Sequence, residues 1–383
     1  MRILHIDPDD MDNPLSGGGP IRTYEICRRL ARRHEVTVLT PTFPGSTPEK
    51  VRDGIRYVRL GRRIRDHGSS HHITFFFSLP AAVRRYRYDL LVEDFMPPAS
   101  VTFNPLFSRA PVIASVQWFY AEMLSRQYHL PFHIGERHGL RLYRNFVVLS
   151  GQMRDLIASR TRGARIEVIP NGITDDNLFS LPITIGDFIL YVGRVDLGQK
   201  GLDLLFEAYA RVPEATRIPL VIAGHGFDAA RVAELLHRLN LGSWVRLVGR
   251  VDAKGRADLL ARCRFVCVPS REETFGLVIL EACAAGKRAI VFDRPPMNEV
   301  APSGPCLLVP AFDVDAYARA LEVLLHCEAG AMRDQGERCR AWAAHYRWDE
   351  IAVRQESFYQ SVVEASGSAR GQSRDTTPDP RLR

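Results

Sequence analysis

Val268-Pro269-Ser270-Arg271-Glu272-Glu273-Thr274-Phe275-Gly276-Leu277-Val278-Ile279-Leu280-Glu281-Ala282 is the stretch that decides the fold. The apolar run ending at Val268 reads as a strand. Pro269 breaks it into a polar loop, and an apolar helix starts at Leu277. Gly276 lets a ligand approach the backbone closely. The amides of Gly276, Leu277 and Val278 would then face an anion, assisted by the helix dipole. Glu281 lies one turn beyond Leu277 and shares its face. A carboxylate there accepts hydrogen bonds from vicinal hydroxyls such as those of a ribose. Glu273 sits on the loop, where it would meet the group beyond the phosphates. The plain alternative is one solvated loop glutamate and one on a helix surface. The flanking Pro-Ser and Phe-Gly make the paired arrangement much more specific.

Outward from this stretch the same alternation continues. In the second half, strands are expected at Phe188–Val192, Pro219–Ala223, Val245–Leu247, Phe265–Val268 and Ala289–Phe292. Helices are expected between them, at Leu202–Ala210, Ala229–Leu239, Ala257–Arg262 and Leu277–Ala285. The first half repeats the scheme with strands at Arg2–Ile6, Val36–Thr40, Tyr57–Leu60, Leu90–Val92, Pro111–Val116 and Phe146–Leu149. Helices there are Ile21–Arg33, with Ile21, Tyr24, Ile26, Leu30 and Ala31 on one face, and Leu79–Tyr88. Strands separated by helices imply right-handed crossovers and parallel sheets. The class is therefore α/β, with two doubly wound domains facing across a cleft that binds ligands at the carboxyl ends of the strands. Turn formers from Ile169-Pro170-Asn171-Gly172 to Leu181-Pro182 place the hinge there. The boundaries read are 1–172, 173–347, a closing helix over 348–365, and a tail over 366–383 with almost no apolar residue, expected to be disordered.

Composition sets the frame. The chain has 383 residues, 46% hydrophobic and 25% charged, enough for two or three packed domains. No apolar run reaches the roughly 20 residues of a membrane span. The opening residues read as a strand rather than a signal peptide, so a cytoplasmic protein is expected. Seven cysteines, with no Cys-x-x-Cys pair, argue against a zinc ribbon or redox pair, and Cys263 and Cys267 read as buried thiols. The net charge of +7 is uneven. Residues 1–170 carry +9 and the remainder −2. Such asymmetry fits either an arginine-rich solvated surface or an anionic partner.

Two more glycine-containing turns complete the candidate site. Gly193-Arg194-Val195-Asp196-Leu197-Gly198-Gln199-Lys200-Gly201 follows a strand, so Arg194 and Lys200 can neutralise a diphosphate without a metal. Gly17-Gly18-Gly19 joins the first strand's loop to the first helix. It fits neither Gly-x-Gly-x-x-Gly nor a Walker A pattern, which weakens nicotinamide and P-loop readings. Asp7, Asp9, Asp10 and Asp12 lack an EF-hand pattern and read as solvated or acceptor-side carboxylates. Phe75-Phe76-Phe77 near Arg84, Arg85 and Arg87 reads as core. The alternative is an aromatic-basic patch against an anionic membrane. His129, His133 and His138 read as ordinary surface or loop histidines.

These motifs together resemble the retaining glycosyltransferases of family 4, "glycosyl transferases group 1", with the GT-B fold. The glycine loop, Val168-Ile169-Pro170-Asn171-Gly172-Ile173, the Gly193–Gly201 turn, the Glu273–Glu281 pair and the closing helix from Trp348 all take part, so the resemblance runs through almost the whole chain. It implies that Arg194 and Lys200 hold the donor diphosphate, Glu281 the ribose and Glu273 the transferred sugar. The loop Gly249–Val251 would lie beside the base. Gly18, Gly19, Val251, Thr274, Phe275, Gly276, Leu277 and Val278 would complete the donor contacts, with Glu273, Arg194 and Lys200 acting in catalysis. Asp252 and Lys254 offer a weak cue for a guanine edge. Gln117 and Glu93 are the acceptor-side candidates. Gln117 stands where many members carry a histidine, and an amide cannot serve as general base. The implied reaction moves a sugar from a nucleotide-diphosphate donor to a glycan or lipid-linked acceptor hydroxyl. Attack is on the front face, and a donor phosphate oxygen takes the proton. No metal, cofactor or nucleic acid is expected, and membrane contact would be peripheral, through the basic first half. The rivals are a nucleotide-sugar 2-epimerase of the same fold and a non-catalytic nucleotide-sugar-binding scaffold.

Overall fold

The structure, a computed structural model, describes the chain except for Leu15, Gly17, Gly18, residues 63–69, Phe227 and residues 373–383. It divides into two compact units. One is Met1–Pro170 with Trp348–Arg383, the other Asn171–Arg347.

The strands of the second unit form a parallel six-stranded sheet, in the order Val245–Gly249, Leu220–Ala223, Ile189–Val192, Phe265–Val268, Ala289–Phe292, Leu307–Val309. The chain starts at Ile189–Val192, winds outward to one edge, then returns to Phe265–Val268 and winds to the other. The loops after these two central strands therefore diverge and leave a crevice at their carboxyl ends. The four inner strands are buried runs rich in Val, Ile, Leu and Phe, as helices on both faces require, whereas the edge strand Val245–Gly249 is largely exposed and Leu307–Val309 half-buried. Past the last expected strand come Leu307–Val309 and the helices Val314–Leu325 and Ala329–Ala343. Cys263 and Cys267 are fully buried. Cys283, Cys306 and Cys339, far apart in sequence, also meet inside this unit, with the Cys283 and Cys306 sulfurs 3.7 Å apart.

The first unit has an eight-stranded sheet in the order Glu49–Arg52, Ile55–Leu60, Glu35–Pro41, Arg2–Ile6, Leu90–Asp94, Val112–Val116, Asn145–Val148, Arg165–Val168. All pairings are parallel except the edge hairpin of Glu49–Arg52 with Ile55–Leu60. Asp53-Gly54, both at positive φ, turn that hairpin. The helices are Gly19–Leu30, Ser70–Arg85, Ala121–Tyr128, Phe132–Gly139 and Gly151–Arg160. Ser150 caps the last by accepting from the Met153 amide at 3.2 Å.

The helix Trp348–Gln372 returns to this unit. It buries Trp348, Ile351, Phe358, Tyr359 and Val362 against Ile26, Cys27 and Leu30. Arg29–Asp349 at 2.6 Å and His34–Glu356 at 2.7 Å flank the seam. This docking corrects the expected face of the first helix. Ile21 stays exposed, whereas Arg22, Thr23 and Glu25 are buried. The Arg22 guanidinium donates to the Pro170 carbonyl and the Gln355 side chain. The closing helix also continues past Ser366 to Gln372, where a disordered tail is expected. Polar residues suffice to extend a helix already nucleated by packing. The remainder of that tail, 373–383, lies outside the described residues.

Candidate active site

The crevice of the second unit is built by two loops tied together. Gly201, at φ 64°, sits where a Cβ would fall 2.1 Å from the Pro269 carbonyl oxygen. The amides of Arg271 and Glu272 donate to the Gln199 carbonyl at 2.9 and 3.2 Å. Arg271 also reaches the Leu197 carbonyl at 2.7 Å and pairs with Asp203 at 2.6 Å. These bonds fix Lys200 against Glu273. The Lys200 ammonium lies 2.7 Å from the Glu273 carboxylate, which also accepts from the buried Ser270 hydroxyl at 2.9 Å. Gly276, at φ 99°, is the N-cap of the helix Leu277–Ala284. The first amides of such a helix have no partner within it.

Lys200, Glu273, Thr274, Phe275, Gly276, Leu277 and Val278 all line one cavity of about 160 Å³. Phe275 is itself buried, its ring tilted against that of Tyr346. Arg194 and Val251 line an adjoining hollow of about 410 Å³, joined to the first through Val192 and Gly193. Arg194 is exposed there, and its guanidinium is held by the Gln199 side chain. Arg194 and Lys200 thus face neighbouring compartments rather than one point.

Glu281 is nearly fully buried and 3.2 Å from the Arg256 guanidinium. Burial pushes its carboxyl up to about 6, against the opposing pull of Arg256. Arg256, which lines the larger hollow, is a site residue that the sequence reading missed. So is the Gly224-His225-Gly226 turn, whose signal was two glycines directly after the strand Leu220–Ala223. The cue on Asp252 and Lys254 is corrected. Asp252 spends its carboxylate capping the next helix, accepting from the Gly255 amide at 2.7 Å, and neither residue lines the hollow.

The acceptor-side candidates are in the first unit. Gln117, at the end of the strand Val112–Val116, is partly exposed and donates to the Gly19 carbonyl at 3.5 Å, so these two predicted positions meet. Gly18 lies outside the described residues. Glu93 is corrected. It is 1% exposed, and its carboxylate is spent on Thr102, Tyr143 at 3.1 Å and Asn104 at 3.3 Å. Burial pushes it up to about 7, against those hydrogen bonds. These bonds pin the loop after its strand. The aspartate loop is corrected too. Asp10 is buried against Arg59 at 2.8 Å, and Asp12 pairs with Lys50 at 2.7 Å and Arg59 at 2.8 Å. Asp7 is buried beside the His5–Asp94 pair, and burial, then Asp94, pushes it up to about 7. The phenylalanine run splits. Phe75 is core, while Phe77 is 76% exposed. His129, His133 and His138 are exposed.

The chain matches two family models. "Glycosyltransferase Family 4" covers residues 16–177 and "Glycosyl transferases group 1" covers residues 177–342. It is 28% identical over 390 residues to a phosphatidyl-myo-inositol mannosyltransferase of Mycobacterium leprae, covering 96% of this chain and 98% of that protein. It is 25% identical to a GDP-mannose:cellobiosyl-diphosphopolyprenol alpha-mannosyltransferase of Xanthomonas campestris, covering 95% and 97%. Among solved structures, a sucrose-phosphate synthase from Thermosynechococcus elongatus superimposes with a TM-score of 0.74 at 22% identity, covering 95% of this chain and 99% of that one.

Proposed function

The chain belongs to the family 4, group 1 glycosyltransferases of GT-B fold, and on that premise we propose that it transfers a hexose from a nucleoside-diphosphate donor to an acceptor hydroxyl with retention of the α configuration. The observation that carries this reading is the Lys200–Glu273 pair at 2.7 Å, on the same small cavity as the helix start at Gly276.

In the ligand-free protein Lys200 neutralises Glu273. A diphosphate entering the cavity competes for the ammonium and releases the carboxylate toward the sugar hydroxyls. The amides after Gly276 and the guanidinium of Arg194 share the phosphate charge. Glu281, oriented by Arg256, accepts from the ribose hydroxyls. As the acceptor oxygen bonds to the anomeric carbon, the bond from that carbon to the phosphate oxygen breaks and its electron pair stays with the phosphate. The acceptor proton passes to that same oxygen. Charge builds on the leaving diphosphate, where Lys200 and the helix amides are already aimed, and such preorganised groups lower the barrier most.

GDP-mannose is the first donor to test, because relatives matching the whole chain bear mannosyltransferase names, one with GDP-mannose in it. The same names favour a lipid-borne acceptor, which would place the enzyme in the cytoplasm at a membrane face. The test is incubation with radiolabelled GDP-mannose and lipid acceptors, with the product digested by α-mannosidase. An α-linked mannolipid is expected. A C2-epimerised sugar nucleotide formed without acceptor would instead establish the isomerase, and a β-linked product would overturn retention.

A further inference from the structure

We propose that Cys283, Cys306 and Cys339 form a three-thiolate site for one soft monovalent cation of the Cu(I) class, inside the second unit. All three side chains are buried. Cys283 lies near the end of the helix Leu277–Ala284, Cys306 in the turn before the strand Leu307–Val309, and Cys339 in the helix Ala329–Ala343. The Cys283 and Cys306 sulfurs are 3.7 Å apart, and all three lie within 4.8 Å of one another. Three sulfurs about 2.3 Å from one ion, the length of a metal–thiolate bond, stand about 4 Å from each other. The cluster therefore needs only small shifts to enclose an ion. Among the described residues no other group of three cysteine, histidine or carboxylate side chains brings its ligating atoms so close.

A buried cysteine is ordinarily a small apolar side chain. Cys263 is of that kind, its thiol resting on the Leu260 carbonyl at 3.4 Å. The trio differs in that sulfur faces sulfur and cations flank it. The buried Arg288 guanidinium donates to the carbonyls of Pro305 at 2.6 Å and Gly304 at 3.2 Å. Arg340 donates to those of Ala284 at 3.2 Å and Leu181 at 2.6 Å. Pro305 and Ala284 adjoin Cys306 and Cys283, so the two guanidiniums stand beside the cluster, and both engage carbonyls rather than carboxylates. A buried cation calls for an anion. Three thiolates around a monovalent ion leave two negative charges, which the two guanidiniums offset. Zn²⁺ would leave one, and its structural sites take a fourth ligand. An all-sulfur set of three suits Cu(I). The surroundings are fixed in advance. A Cβ at Gly336, one turn before Cys339, would collide with the Gly286 carbonyl, so glycine lets the two helices meet there. An ion would enter beneath the turn bridged at Ser303 and Cys306, where Ser303 and Gly304 are exposed. On binding, the thiol protons pass to solvent and no electron is transferred.

The test is independent of any transferase activity. Full-length protein, kept reduced without added thiols and under nitrogen, is titrated with Cu(I) against a chromogenic Cu(I) chelator. One ion per chain is expected, with release of protons. X-ray absorption of the loaded wild-type protein should show a shell of three sulfurs. Cys283→Ser, Cys306→Ser and Cys339→Ser should each weaken binding by at least about hundredfold, beyond the 10–100-fold that loss of an outer-shell partner costs. Cys327→Ser, which removes the one cysteine that is not buried, should keep the ion. Excess Zn²⁺ should not displace it. The absorption spectrum is taken on the wild-type chain, so it decides even where a serine variant does not fold. A shell with fewer than three sulfurs, loss of the ion in Cys327→Ser, wild-type affinity in Cys339→Ser, displacement by Zn²⁺, or failure of the reduced protein to take up Cu(I) would each overturn the proposal.

Discussion

Both units wind outward from a central strand and so leave a crevice at the point where the winding reverses, but they furnish that point in opposite ways. In the second unit the ionisable groups at the crevice line cavities. Lys200 and Glu273 face one and Arg194 and Arg256 the other. In the first unit, the groups around the ends of Arg2–Ile6 and Leu90–Asp94 face one another. His5 pairs with Asp94, Asp10 with Arg59, and Glu93 with Thr102, Tyr143 and Asn104. The same architecture thus yields a polar site where loops leave room and a polar core where they do not. Polar residue type at a strand end does not separate these outcomes. The loop's length and its own internal partners do.

The contrast breaks most sharply at the buried pair. Arg59 and Asp10 have almost no exposed side chain. Arg59→Met should cost about 3–5 kcal/mol of stability, because it leaves a buried carboxylate without its cation. Nucleoside-diphosphate affinity should not change. Urea unfolding followed by tryptophan fluorescence reads the first quantity, and wild-type unfolding would show that this pair is not a structural core.

Glu273→Gln should lower kcat by roughly 10²–10³-fold, the scale of one lost electrostatic stabiliser, with little loss of stability. Steady-state kinetics beside equilibrium binding of free GDP checks it. A normal kcat would reduce Glu273 to a partner that merely holds Lys200. Lys200→Met comes next, with a smaller effect. It should weaken free nucleoside-diphosphate binding by about 1.5–3 kcal/mol, the scale of a charge-assisted hydrogen bond. Calorimetry with GDP and UDP measures this directly. Wild-type affinity would mean that Lys200 serves only to neutralise Glu273.

How legible the molecule was in its sequence follows the same division. The parallel strands and the loop-to-helix start at Gly276 were readable, because apolar runs and glycine breaks are local signals. Leu202–Ala210, Phe265–Val268 and Ala289–Phe292 fall where the pattern puts them. The hairpin at Glu49–Arg52 was missed although Asp53-Gly54 announces such a turn. The helices Ala121–Tyr128 and Phe132–Gly139 were missed because their apolar residues face water instead of marking a buried stripe. Arg256 beside Glu281, and the meeting of Cys283, Cys306 and Cys339, depend on tertiary contacts that no spacing encodes. Asp10 read as a solvated or acceptor-side carboxylate, and Glu93 as an acceptor-side one, because sequence does not distinguish a carboxylate buried on internal partners from one that faces a ligand.

The smallest effect bears on Glu281. Its carboxyl is raised to about 6, first by burial, with Arg256 opposing. A group raised in the folded state binds its proton more tightly there than in the unfolded chain. The stability it contributes is therefore full below its ordinary value and is lost as pH rises through about 6. At neutral pH the folded protein holds a buried charge that hydroxyl donors from a ribose would relieve. Donor binding should need the ionised form, so the donor KM should rise as pH falls, by about fourfold between pH 7.5 and 5.5 for a group titrating near 6, while kcat changes little. The sugar nucleotide itself is a diphosphate diester and does not titrate in this window. Glu281→Gln should raise the donor KM at every pH and flatten its pH dependence. A pH profile that survives Glu281→Gln would remove Glu281 from donor binding.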